Sequence, residues 1–273
     1  MLKLRIVTAV VLASLLLGSL WSGDQKYLAL LLGAFVCMAA WEWASLAGCQ
    51  QATVRVLYTV LVTLSLPLLL IFITTPWHVG IVLFGVVWWC IAAIMVVCYQ
   101  AGGQPIPASR FVRYLLGYFV LLPAWTGLVS LFPYREGPRL LMLFFVMIWL
   151  VDSAAFFAGS RWGKRKLAGR VSPGKTWEGF FAGVLVSFLP GLGFVVYEKI
   201  SGPAAVWLIL LCVISAIFSV IGDLCVSMFK RNANVKDSSR LLPGHGGVLD
   251  RIDSITAAAP VFASGIWMLE GKL

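Results

Sequence analysis

This sequence predicts an all-α, polytopic transmembrane protein, and three observations lead there. Of 273 residues, 61% are hydrophobic and only 12% are charged, against the ~25% charge usual in a soluble domain. The apolar residues fall in long, continuous runs, without the two-residue alternation of barrel strands. In hydrocarbon every backbone polar group must be satisfied internally, so such runs fold as helices.

Nine runs reach the length that spans a bilayer: residues 5–22, 27–46, 55–74, 78–99, 112–132, 140–159, 176–197, 204–226 and 254–270. The first opens with Lys3 and Arg5, as a signal peptide would. No small-x-small cleavage pattern follows it, and Trp21 is a poor neighbour for one, so it is assigned as a helix. The second ends in Trp41-Glu42-Trp43, the sixth carries Asp152 and the eighth carries Asp223. The ninth is preceded by Asp250 and Asp253.

Charge distribution sets the expected orientation. With the N-terminus inside, 16 of the 21 Lys and Arg residues lie in cytoplasmic segments and five outside, so the positive-inside rule favours N-in, C-out. Six of the eleven carboxylates then fall in one layer near the inner interface: Glu42, Asp152, Glu178, Asp223, Asp250 and Asp253. An Asp at a helix centre costs about 2.5–3.5 kcal/mol to insert, so such residues have a partner or a function. Glu42 reads equally well as a snorkelling side chain.

Six cysteines lie mostly within the spans with no CxxC pair, which points away from a disulfide framework or zinc site. There is no internal repeat and no soluble domain. Residues 1–140 read as membrane scaffold. Residues 141–273 read as the catalytic membrane region, with two basic cytoplasmic loops at 160–175 and 227–253. A basic loop alone is a topology signal or an attractor of anionic lipid or nucleic acid. Interleaved carboxylates point to something more specific.

Residues 169–176 of the first loop match GxxxxGK[ST]. A P-loop needs a preceding strand and an α/β sheet, and membrane helices flank this one. Ser172 followed by Pro173 reads as a helix N-cap with proline at the first position. Free N–H groups beside Lys175 would then make an anion site. The alternative is simply a capped helix entering the membrane.

In the second loop, Asp223, Ser227, Lys230 and Arg231 share a helical face if the eighth span continues past the interface. Asp250 and Asp253, three apart, share a face at the start of the ninth. Glycines around His245 allow close backbone approach to a ligand. Carboxylates converging with Lys and Arg suit phosphate handled through a hard divalent cation such as Mg²⁺. A structural salt-bridge network would not need Gly-His-Gly-Gly.

Residues 227–253 read S-x-F-K-R-x4-K-D-x-S-x2-L-P-x-H-G-G-V-x-D-R-I-D, and they resemble the signature of the phosphatidate cytidylyltransferases. The resemblance extends to Gly222-Asp223, to Ser172-Pro173-x-Lys175-Thr176-x-Glu178-Gly179, and to the helix of Asp152. In the first 140 residues it is limited to hydropathy and Trp41-Glu42-Trp43.

The resemblance implies a bacterial inner-membrane enzyme that joins CTP to phosphatidate, giving CDP-diacylglycerol and pyrophosphate. It implies metal ligation by Asp223 and Asp250, with Asp253 the next candidate. The cofactor expected is Mg²⁺, with room for a second cation. Lys175, Lys230, Arg231, Lys236 and Arg251 are assigned to phosphates. His245 is assigned to a phosphate or to orienting an aspartate, and Ser172, Thr176, Ser227 and Asp237 to substrate binding. CTP and membrane phosphatidate are the expected partners; nucleic acid is not, and a homodimer stays open. A CTP-dependent polyisoprenol kinase is the alternative. An anionic-solute transporter would place its charges near the midplane, not at one face.

Overall fold

The computed structural model describes residues 2–134, 136–242, 244 and 246–269. Among them are nine helices: α1 (Leu2–Trp21), α2 (Gln25–Leu46), α3 (Ala52–Phe72), α4 (Trp77–Gln100), α5 (Arg110–Leu131), α6 (Gly137–Trp162), α7 (Trp177–Tyr197), α8 (Gly202–Asn232) and α9 (Leu249–Trp267). Between α6 and α7 lies a hairpin of β1 (Lys166–Ala168) and β2 (Ser172–Thr176), an element that the apolar pattern does not encode.

Helices α2 to α8 are each long and apolar enough to cross a membrane. The ninth is less apolar for a physical reason. It packs against α2, α4, α5, α6 and α8, so its surroundings are protein rather than lipid. Ala257, Ala258, Ala259 and Ala263 are completely buried along it, and small residues of this kind let membrane helices approach closely. A Cβ on Gly265 would lie 2.2 Å from Leu211 Cδ1.

Successive helices alternate in direction. Gln25 Nε2 donates to Val129 O at 2.8 Å, joining the start of α2 to the end of α5. Trp207 Nε1 donates to Gly265 O at 2.9 Å, joining the start of α8 to the end of α9. At the other end, Trp43 Nε1 donates to Arg113 O at 2.8 Å, and Arg170 N to Gln100 Oε1 at 3.0 Å. Both charged loops therefore occupy one end of the bundle.

Candidate active site

The first loop differs from its expected form. Ser172 and Pro173 lie in β2, where Ser172 pairs with Ala168 and Thr176 with Lys166. Proline is tolerated there because a two-stranded ribbon has only edges. The N-cap of α7 is Thr176, in extended conformation (φ −128°), whose Oγ1 accepts from Gly179 N at 3.2 Å. The Ser172 cap and the helix-start anion site built on it are thus corrected. The hairpin stem and the first turn of α7 fit tightly against α6: a Cβ on Gly163 would lie 2.6 Å from Thr176 Cγ2, and one on Gly179 2.6 Å from Ala155 O. The extended strand carries Lys175 across to α8, where Nζ lies 2.5 Å from Asp223 Oδ2.

Helix α8 runs on to Asn232, well past the apolar stretch, so one helix presents Asp223, Ser227 and Lys230. Ser227 Oγ donates to Asp223 Oδ1 at 3.1 Å. Gly222 permits the approach of α9: a Cβ there would sit 2.3 Å from Asp253 O. Asp253 is buried, and its Oδ1 accepts from Ser254 N at 2.8 Å.

Asp250 is held on every side. Lys230 Nζ lies 2.7 Å from its Oδ1, while Oδ2 accepts from Ser238 N at 2.9 Å and Gly247 N at 3.1 Å. The loop reaches this shape through Gly244 (φ +79°) and Gly246 (φ +86°), left-handed positions that favour glycine. Buried charges are tolerated only when paired and hydrogen-bonded, and the Lys230–Asp250 pair meets that condition.

A cavity of about 940 Å³ joins these groups to an apolar space between the helices. Asp152, Lys175, Asp223, Asp250, Arg251 and Asp253 line its polar end. Its far walls are apolar, including Leu12, Leu16, Leu32, Leu121 and Phe145 from α1, α2, α5 and α6.

The structure therefore gathers Lys175, Thr176, Asp223, Asp250, Arg251 and Asp253 on one cavity, with Ser227 and Lys230 directly behind them. Arg231 does not join them. Its Nε donates to Val171 O at 3.0 Å and its Nη1 to Val235 O at 3.2 Å, so it ties the hairpin to the second loop. Lys236 and Asp237 are exposed outside the cavity lining, and Ser172 is also absent from it. His245 lies outside the described residues.

Two carboxylates of the inner layer take places that the sequence reading left unassigned. Asp152 lines the cavity within electrostatic range of Lys175, Asp223 and Arg251. Glu42 is completely buried beneath the second loop. The signals were their position in one layer of carboxylates and the resemblance at the helix of Asp152 and at Trp41-Glu42-Trp43.

Residues 3–269 match the family model described as the cytidylyltransferase family. The chain is 43% identical to a phosphatidate cytidylyltransferase of Pseudomonas aeruginosa, over 98% of its own length and 97% of the relative's. It is 36% identical to one of Haemophilus influenzae over 96% and 98% of the two chains. A third, from Brucella suis, is 33% identical over 94% and 90%. A match that runs from the first helix to the last, through both charged loops, makes this chain a member of the cytidylyltransferase family.

Proposed function

We propose that this protein transfers the cytidylyl group of CTP to phosphatidate, forming CDP-diacylglycerol and pyrophosphate at the cytoplasmic face of a bacterial inner membrane. One observation carries the reading: a single cavity joins a charged end to apolar helix walls, as an amphiphile with a phosphate head and acyl tails requires. The names of the relatives support the same substrates. The excess of Lys and Arg on the hairpin side supports N-in, C-out.

A phosphate oxygen of phosphatidate attacks the α-phosphorus of CTP. A new P–O bond forms, the bond to the α,β-bridging oxygen breaks, and pyrophosphate leaves with that oxygen. The lipid phosphate has a second pKa of about 6, so it arrives as an anion and no side chain has to deprotonate it. The protein's task is to align and neutralise. Lys175 and Arg251 face the cavity and take phosphate oxygens, while Lys230 holds the Asp250 carboxylate in place.

The donor set fits Mg²⁺. Asp223 and Asp250 offer hard oxygens to one cavity, and Mg²⁺ characteristically uses one or two carboxylates together with substrate phosphates. No cluster of three or more ligating side chains occurs among the described residues. The ion, with or without a second cation, would stabilise negative charge on the transferring phosphoryl group.

The test uses purified protein with phosphatidate and CTP labelled at either the α- or the γ-phosphorus. Label from the α position should enter the lipid and label from the γ position should leave as pyrophosphate. Transfer of γ label to a lipid would instead identify a kinase.

A further inference from the structure

The Glu42 carboxylate lies on α2, is fully buried, and pairs with no lysine or arginine among the described residues. Four donors surround it instead. Oε1 accepts from Ser239 Oγ at 2.5 Å and Val248 N at 2.9 Å. Oε2 accepts from Ser238 Oγ at 2.8 Å and Leu249 N at 2.7 Å. All four belong to the second charged loop and the first turn of α9.

That first turn needs a cap that its own sequence does not supply, because the N-cap position is Val248 and no side chain there can accept. Glu42 supplies it from another helix. The helix dipole and charge-assisted hydrogen bonds offset the cost of burying the carboxylate.

The loop segments gripped by Glu42 are those that grip Asp250. Ser238 gives its hydroxyl to Glu42 and its amide to Asp250. Gly247 N turns to Asp250, while the next two amides turn to Glu42. Two carboxylates thus interleave on one loop from opposite sides. The packing has no slack, since a Cβ on Gly247 would lie 1.9 Å from Ser238 Oγ and 2.7 Å from Glu42 Oε2.

Its neighbours fix α2 in place. Trp43 bonds to Arg113 O and packs on Phe229 with ring centroids 4.8 Å apart. The Arg55 guanidinium lies 4.0 Å over the Trp41 ring.

We infer that Glu42 is a positioning residue for the transferase reaction: it clasps the 238–249 segment so that the Asp250 carboxylate, braced by Lys230 from behind, faces the cavity in one fixed arrangement. The inference rests on the proposed function for its activity readout, but not for its structural one. Glu42→Gln keeps the shape but puts an NH₂ against a backbone N–H. It should lower kcat about tenfold, leave the KM for phosphatidate within about twofold because the apolar walls are untouched, and speed amide exchange at Val248 and Leu249. A clasp that served folding alone would reduce the yield of folded protein and leave kcat per folded molecule at the wild-type value. That result would overturn the inference.

Should Glu42→Gln fail to fold, Ser239→Ala removes one of the four bonds together with the acceptor of Leu241 N, an amide on an exposed residue that water can serve. A fall in kcat of about twofold or more with faster exchange at Val248 supports the clasp, and unchanged kcat and exchange overturn it. If wild-type protein makes no labelled lipid from CTP, the proposed function fails. The exchange measurement uses no substrate and still decides whether Glu42 holds the loop.

Discussion

Lys175 on β2 and Asp223 on α8 meet as an ion pair, and their side chains keep 25% and 28% of their surface exposed. The second pair, Lys230 with Asp250, keeps only 9% on each side. This difference separates two roles. An open pair can exchange partners when phosphates arrive, whereas a shielded pair holds its geometry.

Lys175→Ala should lower turnover by at least about tenfold, because it removes the cation that the hairpin delivers to the cavity. Lys166→Ala alters an exposed residue of β1 outside the lining and should change turnover less than twofold. Initial rates on the two purified variants make the comparison, and similar mild losses from both would remove Lys175 from the site.

Asp223→Asn and Asp250→Asn should each lower kcat more than about tenfold, but only the second should unfold easily. Removing one partner of a buried pair costs about 3–5 kcal/mol, so Asp250→Asn should also lose roughly 5–10 °C in melting temperature. Combining Asp250→Asn with Lys230→Met should recover part of that stability, because the Asn oxygen still accepts from Ser238 N and Gly247 N, and none of the activity. Detergent-solubilised thermal melts read the difference.

Gly222→Ala drives a methyl group toward Asp253 O, which the Cβ would approach to 2.3 Å. Overpacking of this kind costs about 1–3 kcal/mol. Because α8 and α9 carry the two halves of the site, their separation should reduce kcat more than the stability loss alone explains. A variant as active as wild type would mean that the helix contact is not needed for alignment.

Orientation can be read with an impermeant maleimide in a background whose six cysteines are replaced. Suitable positions follow from the packing. Ser239 is bonded to Glu42, and a Cβ on Gly137 would lie 2.3 Å from Leu131 O, so neither is a neutral site. Arg240 is exposed on the second loop, and Ser201 is exposed at the α7–α8 turn without a capping bond. Arg240→Cys should label only in opened cells and Ser201→Cys in intact ones. Labelling of position 240 from outside would invert the bundle and move the site away from cytosolic CTP.

The helices were legible because a lipid-facing run must be apolar along its whole length. The shared face of Asp223, Ser227 and Lys230 was legible too, because helical spacing is local. The hairpin was not. Ser172-Pro173 carries a strong local cap signal, and pairing of β2 with β1 overrides it and passes the cap to Thr176. Glu42 was visible as a costly carboxylate, but its donors lie 196 to 207 residues away. No period or spacing encodes contacts of that range. The place of Arg231 was hidden for a related reason: its partner, Val171 O, is a backbone atom brought close only by the hairpin.

The Glu42 clasp also sets a clock on biosynthesis. Val248 is 206 residues downstream, and chains grow at about 5–20 residues per second. Glu42 therefore waits roughly 10–40 s inside the bilayer before its donors are made. A chain that stops short of α9 leaves the Glu42 carboxylate without these donors, a costly defect in the membrane. Helix α9 thus completes α2, made some two hundred residues earlier.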